Sequence, residues 1–498
     1  MKAVFLVALA LVMLHGPRPA LSDEPPMSSA TQECLNCHGS MHPGIVESWQ
    51  QSRHALTVPS KAAEAPNLSR KVSAENLPDE LKGVSVGCAE CHTLRQKSHQ
   101  DTFDHNGYSV HVAVSPADCA TCHRIEGEQF DRNLMAHAYS NLVDNSVYQL
   151  LVQSINGVPS FDKGKVSLAP ASQATSEESC LYCHGTKLAV KGKKTRSTDM
   201  GDMEFPEISG WPNQGVGRIN LDGSRGACTA CHPRHNFSME AARKPYTCQE
   251  CHVGPDVPAY KVYEASKHGN LYSTHGKEWN FRSLPWTVGK DFTAPTCAAC
   301  HISLLVDTEG KMVIERSHEM RDRMPYRIFG LVYAHSHPKM SGTAVIKNKA
   351  GLQLPTDFDG TEASQFLLDE QERQAAQKLM QASCLTCHDQ SWVDGHWSRF
   401  VNTIQATNAT TRTATQIMME IWKLGLATNH EKGGSPFDEF VEKVWSDLWL
   451  FYANTVRFAS AMGGGGDYGV FAEGRYHMMK TVRELEDWLQ SHSAGKKR

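Results

Sequence analysis

All the cysteines of this chain stand in pairs separated by two residues, and a histidine follows each pair immediately. Attachment of a c-type haem needs this arrangement, because two thiols bond to the vinyl groups and the adjacent imidazole ligates the iron. The motifs are Cys34/Cys37/His38, Cys88/Cys91/His92, Cys119/Cys122/His123, Cys180/Cys183/His184, Cys228/Cys231/His232, Cys248/Cys251/His252, Cys297/Cys300/His301 and Cys384/Cys387/His388. The sixteen cysteines therefore predict eight covalently bound haems.

Eight disulfides or several zinc sites are alternative uses of the same cysteines. Histidine accounts for only 25 of the 498 residues, so chance does not explain its presence after every pair. Zinc sites would group four ligands at a second repeated spacing, and the irregular intervals between the motifs do not show one. Haem attachment is the interpretation that explains both the pairs and the histidines.

The histidines outside the motifs decide which haems can react. A haem with histidine on both faces of its iron mainly carries electrons, whereas a haem without the second histidine can bind a substrate. Seven further histidines have a sequence context typical of a second ligand: His54, His111, His137, His235, His268, His335 and His396, with His337 as the alternative to His335. Seven second ligands for eight haems leave one haem open.

The N-terminus predicts export. Lys2 is followed by an apolar run over residues 3–14 and by small residues ending at Ser22, which is typical of a signal peptide removed after residue 22. An uncleaved anchor is the alternative. No later segment has the roughly 18 uninterrupted apolar residues that a membrane helix needs. Because c-type haem is attached outside the cytoplasm, we expect a soluble periplasmic protein without a membrane span.

The net charge limits the possible partners, and the predicted haems limit the fold class. The net charge is −4, and the basic residues at 496–498 are the only long basic run, so nothing favours a nucleic-acid partner. Haems are large and apolar and supply core that side chains otherwise provide. We therefore expect a mainly α multihaem cytochrome c with extensive irregular loops, a haem-packed core and long C-terminal helices.

Three regions follow the predicted leader. Residues 23–170 carry three motifs, residues 171–400 carry five, and residues 401–498 are helical. Helices are predicted at residues 364–383, 411–430, 435–462 and 476–490, with Ser435 as a cap and glycines 463–466 as a stop. The apolar faces of these last helices predict contacts with another subunit, and a lid on the same subunit is the alternative.

The context of the motifs resembles the octahaem hydroxylamine oxidoreductase family over nearly all of the mature sequence. The segments that carry the resemblance are residues 42–49 (HPGIVESW), 115–119 (SPADC), 211–218 (WPNQGVGR), 248–256 (CQECHVGPD), 264–269 (EASKHG) and 294–297 (APTC). The resemblance implies that the fourth motif holds the catalytic haem, with His184 as the proximal ligand of an open iron. It also implies a homotrimer in which a tyrosine of one subunit can bond to the catalytic haem of the next.

Tyr468 is the first candidate for that tyrosine, and Tyr476 is the second. Anchoring of the loop after the glycine run is an alternative role for Tyr468. The family's oxidising members resemble Gly-Pro-Asp-His after the sixth motif, whereas this chain has Val257 after Asp256. Phe292 occupies a place before the seventh motif where an aromatic hydroxyl is expected. Of these three positions, only Asp256 can exchange a proton.

The resemblance implies an enzyme of the nitrogen cycle. We expect oxidation of hydroxylamine or a related reduced nitrogen compound, with seven haems relaying electrons to a cytochrome or a quinone-linked protein. Asp256, Tyr468 and His184 are the expected catalytic residues. Reduction of nitrite or hydroxylamine to ammonia is the first alternative, because it needs the same parts. A non-catalytic electron-transfer subunit of a mixed assembly is the second.

Overall fold

Helices and loops make up most of the computed structural model, which describes residues 25–198, 200–428 and 434–494. Within these ranges, strands occur only as five antiparallel pairs. The predicted mainly α class with long C-terminal helices is thereby confirmed. No helix in the described ranges is long and apolar enough to cross a membrane. The predicted leader, the basic tail and the predicted helix end at His430 lie outside the described residues.

The elements are short before residue 370 and long after it. The α-helices are Ser29–Met41, Pro43–Gln50, Arg53–Leu56, Pro59–Ala63, Asp79–Lys82, Cys88–His92, Pro116–Cys119, Arg124–Asp131, Ala138–Val143, Ser146–Asn156, Gln173–Glu178, Cys180–His184, Met239–Arg243, Tyr246–Gln249, Ala259–Ala265, Lys267–His275, Cys297–His301, Glu370–Cys384, Gln390–Lys423, Phe440–Asp447, Ala453–Ala461 and Arg475–Ser493. The paired strands are Phe103–His105 with Tyr108–Val110, Val158–Asp162 with Lys165–Ala169, Ala189–Thr198 with Gly201–Ser209, Leu305–Val306 with Met312–Ile314, and Tyr326–Arg327 with His335–Ser336.

Three of the haem motifs form a helix of a single turn and little else. These helices are Cys88–His92, Cys180–His184 and Cys297–His301. Residues three apart on a helix share one face, so one turn brings both thiols to the same side and the histidine beside them. Loops connect the motifs, as expected where bound groups rather than long helices supply the core.

The C-terminal bundle consists of Gln390–Lys423, Phe440–Asp447, Ala453–Ala461 and Arg475–Ser493. Its core is made of side chains, including the fully buried Trp445 and Trp449 and the nearly buried Trp422. The 34-residue helix Gln390–Lys423 runs across residue 400, where the sequence predicts the last regional boundary. The three-region division therefore remains a prediction.

The predicted helix start, with Ser435 as the cap and Pro436 as the first helical residue, is four residues too early, because the helix begins at Phe440 after the cap Glu439. The Glu442 carboxylate accepts the backbone N–H groups of Asp438 at 3.2 Å and Glu439 at 3.0 Å, and so caps the helix from within. Ser435 Oγ accepts the N–H of Phe437 in the preceding turn. The predicted extent is otherwise right, since a π-helical segment, Leu448–Tyr452, continues the helix to Ala461 before Gly463.

Two other predicted helices have different bounds. A 3₁₀ turn, Ser364–Phe366, precedes the helix Glu370–Cys384, which Asp369 caps by accepting the N–H of Glu372 at 3.0 Å. The pattern predicted from residue 411 belongs to the much longer helix Gln390–Lys423. Its N-terminal half carries an apolar stripe at helical spacing, made of Val393, Trp397, Phe400 and Ile404, which packs near the eighth motif.

Trp445→Ala should lower the free energy of unfolding by about 3–5 kcal/mol. The indole packs edge-on against Trp422 and Trp449, and its Nε1–H donates to Thr415 Oγ1 at 3.0 Å. Denaturant unfolding of the haem-loaded protein, followed by far-UV circular dichroism, measures the loss. Phe440→Ala on the same helix is the control, because this side chain is 74% exposed and its loss should cost less than about 0.5 kcal/mol. Equal effects of the two changes would contradict the assigned core.

Candidate functional site

One continuous cavity of about 2190 Å³ connects the motifs. Fifteen of the sixteen cysteines and all eight motif histidines line it. A pocket for a drug-sized molecule has only roughly 300–1,000 Å³. Thiol pairs, adjacent imidazoles and this volume together fit several covalently attached haems.

The sulfur atoms of neighbouring motifs lie close together and give the motifs an order in space. Three pairs of thiols are in hydrogen-bond contact: Cys119 with Cys228, Cys183 with Cys251, and Cys248 with Cys297. Four further pairs lie within electrostatic range: Cys34 with Cys88, Cys91 with Cys122, Cys231 with Cys248, and Cys300 with Cys384. The motifs therefore follow the order one, two, three, five, six, seven and eight, and the fourth joins the row at the sixth.

Four motif histidines face a second histidine across the cavity. An imidazole nitrogen lies about 2 Å from a metal that it ligates, so two imidazoles on opposite faces of one ion have ring centres roughly 6 Å apart. The facing pairs are His38 with His105 at 6.0 Å, His92 with His111 at 6.0 Å, His123 with His54 at 6.2 Å, and His388 with His268 at 6.2 Å. These separations are those that a shared iron requires.

The sequence predicts His54, His111 and His268 as second ligands, and the structure adds His105 as a candidate that the sequence does not predict. His105 ends the strand Phe103–His105, and Asn106 and Gly107 turn the chain with positive φ into Tyr108–Val110. Asn-Gly between short strands is a strong hairpin signal. The hairpin carries His105 before the turn and His111 shortly after the return strand, so the Asn-Gly pair could have linked the two histidines.

The other predicted second ligands lie in different surroundings. His235 and His396 line the cavity, but Trp392 stacks on His388 at 3.9 Å and separates it from His396. His137 lies outside the cavity lining, and its Nε2–H donates to the Asp131 carbonyl at 2.8 Å. His137 is therefore poorly placed to ligate a haem.

His337 rather than His335 lines the cavity. Both imidazoles donate from Nδ1 to a backbone carbonyl, His335 to Ser336 and His337 to Pro338, which leaves Nε2 free in each. His318, which the sequence analysis did not select, also lines the cavity and lies within electrostatic range of His232. No local sequence signal distinguishes His318, because its neighbour is distant in the chain.

Contacts from both sides position the fourth motif. Asn156 Nδ2–H donates to Ser179 Oγ at 2.6 Å, just before the helix Cys180–His184. His184 Nδ1–H donates to the Ala138 carbonyl at 3.1 Å, which leaves Nε2 for a metal and fixes the orientation of the ring. Burial lowers the pKa of His184, so the imidazole is neutral, the form that ligates metal.

The residue after His184 has to be glycine. Gly185 has a φ of +90°, and a Cβ there would overlap the backbone nitrogen of Arg218. The segment 211–218 packs directly on the motif: Val216 N–H donates to the Cys183 carbonyl at 3.0 Å, and Asn213 Nδ2–H donates to the Leu181 carbonyl at 3.0 Å. The segment 211–218, which carries part of the family resemblance, thus has a physical role: it holds the backbone of the fourth motif.

Asp256 is the expected catalytic carboxylate, and it lines the cavity with Val257. Its negative charge opposes the effect of burial on the pKa values of His184 and His252, so it lies near the fourth and sixth motifs together. Phe292 is 2% exposed and packs on Trp286 with ring centres 4.1 Å apart. Phe292 therefore belongs to an aromatic cluster at the cavity wall and contributes no proton.

Tyr468 lies on the π-helical segment Tyr468–Ala472. Its hydroxyl donates to Glu473 Oε2 at 3.0 Å. Burial raises the pKa of Tyr468 and the neighbouring Glu473 adds to the increase, so the phenol stays protonated. Phe471 and Tyr476 nearby are exposed.

Three family models match parts of the chain. They are seven times multi-haem cytochrome CxxCH over residues 215–319, cytochrome c7 and related cytochrome c over 168–253, and cytochrome c554 and c-prime over 33–114 and 118–204. A curated relative is a probable nitrite reductase-hydroxylamine oxidoreductase fusion protein of Kuenenia stuttgartiensis, 26% identical over 289 residues. The match covers 54% of this chain but 25% of the relative, so the chain spans about a quarter of that protein.

Two solved structures share the fold. A protein described as a hypothetical multiheme protein is 36% identical, with a TM-score of 0.88 and coverage of 96% of this chain and 98% of that one. The reducing HAO-like protein complex of Kuenenia stuttgartiensis is 17% identical, with a TM-score of 0.61 and coverage of 94% and 87%. The chain thus belongs to the multihaem cytochromes c, a class of redox proteins, and it is similar to proteins of the hydroxylamine-oxidoreductase-like kind.

Gly185→Ala should lower the number of haems per chain by one, because the added Cβ displaces the backbone that holds the fourth motif. Pyridine haemochrome absorbance per mole of purified protein measures the number. Gly39→Ala is the matched control, since Gly39 also follows a motif histidine and has nothing within 4 Å of its Cβ position. A full complement in Gly185→Ala would disprove the tight contact.

Proposed function

We propose that this protein reduces nitrite or hydroxylamine to ammonia at the haem of the fourth motif. The observation that carries this direction is the set of side chains beside His184: Asp256 lines the cavity, and neither Val257 nor Phe292 can take a proton. The oxidising members that this chain resembles have an imidazole where Val257 stands, and an aromatic hydroxyl is expected where Phe292 stands, so the chain lacks two groups that go with oxidation. Reduction instead draws protons from solvent, which an exposed carboxylate can deliver.

In this proposal, each residue beside the fourth motif has its own role. Cys180 and Cys183 would hold the haem, and His184 would ligate its iron. A haem bound there would supply an open iron position and one-electron exchange with its neighbours. Reduction of nitrite to ammonium consumes six electrons and eight protons and releases two waters, and Asp256 passes protons from solvent to the substrate.

The other motifs relay electrons. We assign His105, His111, His54 and His268 as second ligands of the first, second, third and eighth haems, from the ring separations of the facing pairs. Contact between Cys183 and Cys251 supports the sixth haem as the route to the fourth. Cys37 and Cys387 are exposed, so a reduced cytochrome or a quinone-linked protein in the periplasm can donate electrons at either end of the row.

The name of the curated relative joins nitrite reduction and hydroxylamine oxidation, which supports small nitrogen compounds as the substrates. Oxidation of hydroxylamine or a related reduced nitrogen compound is the second candidate. Tyr468 favours it, since this residue lies beside the exposed Phe471 near the C-terminus, where a neighbouring subunit of a homotrimer could receive it. A bond between Tyr468 and the neighbour's catalytic haem belongs to this second candidate.

Two assays on the purified haem-loaded protein test the direction. One supplies reduced viologen with nitrite or hydroxylamine, and the other supplies hydroxylamine with an oxidised artificial acceptor. We expect ammonia from the first assay and little turnover in the second. Faster turnover in the second assay would establish oxidation, and no turnover in either would establish an electron-transfer subunit.

Asp256→Asn should lower the reductive turnover about hundredfold or more, because the amide cannot deliver a proton. All eight haems should remain attached, which pyridine haemochrome absorbance verifies. Glu264→Gln is the control, since Glu264 is exposed and lies outside the cavity lining. Unchanged turnover in Asp256→Asn would exclude the proposed proton transfer.

Denaturing gels stained for haem should show only the monomer. We expect this because the Tyr468 hydroxyl donates a hydrogen bond to Glu473 of its own chain. Bands of joined subunits that disappear in Tyr468→Phe would instead demonstrate the cross-link, and with it the second candidate.

A further inference from the structure

We propose that the Arg327 guanidinium binds the anionic substrate at the haem of the fourth motif and so selects nitrite over uncharged hydroxylamine. The inference rests on the proposed function, to which it adds a substrate-binding group and the charge of the preferred substrate. Arg327 has no counterpart among the catalytic residues that the sequence analysis selected.

Arg327 ends the strand Tyr326–Arg327, opposite His335, and lines the cavity together with His184 and Asp256. Its guanidinium lies over the Phe329 ring, 5.5 Å from the ring centre, which is a cation–π contact. Gly330 leaves room beside it, since a Cβ at Gly330 would lie 3.5 Å from Arg327 Nε. The side chain is thus held from one side by an aromatic ring while the cavity remains open to it.

Two buried residues tie the segments of Arg327 and Asp256 together. Asn454 Nδ2–H donates to the Asp256 carbonyl at 2.8 Å, and Arg457 donates to the Ile328 carbonyl at 3.4 Å. Arg457 also donates to Asn454 Oδ1 at 3.3 Å. Because Asn454 and Arg457 are completely buried on the helix Ala453–Ala461, they hold a carboxylate and a guanidinium on neighbouring segments of one cavity wall.

The electrostatic surroundings of His184 agree with this placement. Burial is the main cause that lowers the pKa of His184; the positive charge of Arg327 adds to the decrease, and Asp256 opposes it. Both charged groups are therefore within range of the same imidazole, which is the proximal ligand of the proposed catalytic haem.

Within the described residues, the Arg327 side chain has no hydrogen bond and no ion pair. Three other arginines on the cavity wall are held by polar atoms: Arg218 by Asn220, Arg243 by the Phe281 and Ser283 carbonyls, and Arg323 by the Cys300 and Ser303 carbonyls. In the described part of the chain, Arg234, beside the fifth motif, has only a cation–π contact, with Trp211. The guanidinium of Arg327 thus keeps its donors for a bound group. Its planar fork matches the two oxygens of nitrite, whereas hydroxylamine presents no negative charge.

Substrate charge gives the test. In the viologen assay, Arg327→Gln should raise the KM for nitrite about tenfold to hundredfold and leave the KM for hydroxylamine within about twofold, since a hydrogen bond to a charged group is lost for nitrite alone. Arg327→Lys should recover part of the nitrite affinity. Arg321→Gln is the control, because Arg321 lies near in the chain but outside the cavity lining, and it should change neither constant.

A binding measurement separates this inference from the proposed function. Nitrite titrated into the oxidised protein should shift the optical spectrum, and the Kd should be about tenfold to hundredfold weaker in Arg327→Gln whether or not turnover occurs. Carbon monoxide is uncharged, so its Kd for the reduced protein should be the same in the unaltered protein and in Arg327→Gln. If neither nitrite nor hydroxylamine is reduced in the viologen assay but the Kd for nitrite still differs between the two proteins, the proposed reaction is rejected and the anion site is kept.

Three outcomes would overturn the role of Arg327. The first is unchanged nitrite binding in Arg327→Gln, and the second is absence of nitrite binding in the unaltered protein. The third is an equal loss for nitrite, hydroxylamine and carbon monoxide together with a lower haem content. That pattern would mean that Arg327 pairs with a haem propionate and acts only in holding the cofactor.

Discussion

Close approach of the motif sulfur atoms is the constraint on which the rest of the structure depends. Cys183 contacts Cys251, and Cys248 contacts Cys297, so groups attached at these positions must lie beside one another. One-turn helices suffice to present each thiol pair, and loops can then follow the shape of the attached groups. A cavity of about 2190 Å³ is incompatible with the close packing of protein interiors unless haems fill it. The haems are therefore core and electron path at once.

The C-terminal bundle has a different kind of core. Tryptophan and aliphatic side chains fill it, as in ordinary helical proteins. The helix Ala453–Ala461 connects the two parts, since Asn454 and Arg457 reach from the bundle to the backbone of Asp256 and Ile328. A rigid side-chain core thereby positions groups at the edge of a cofactor-filled cavity. This arrangement explains how a site surrounded by loops can hold a defined geometry.

Parts of the site with local signals were accessible from sequence. The motifs, the mainly α class and the stop at Gly463 depend on residues within a few positions of one another. Asn106-Gly107 is a local hairpin signal that places His105 and His111 close to each other. The start of the helix Phe440–Asp447 was misplaced because a capping carboxylate from inside the helix, Glu442, outcompeted Ser435. His137 fits the sequence context of a ligand, but it lies outside the lining of the cavity.

The sequence by itself determined how many haems the chain can attach and where, because covalent attachment needs only two thiols and an imidazole within five consecutive residues. Only the tertiary structure decided the order of the motifs in space, the pairing of His38 with His105, and the link between the segments that carry Asp256 and Arg327. These relations join residues tens of positions apart in the chain. They depend on packing and on buried hydrogen bonds, such as those of Asn454 and Arg457, for which a local pattern carries no signal.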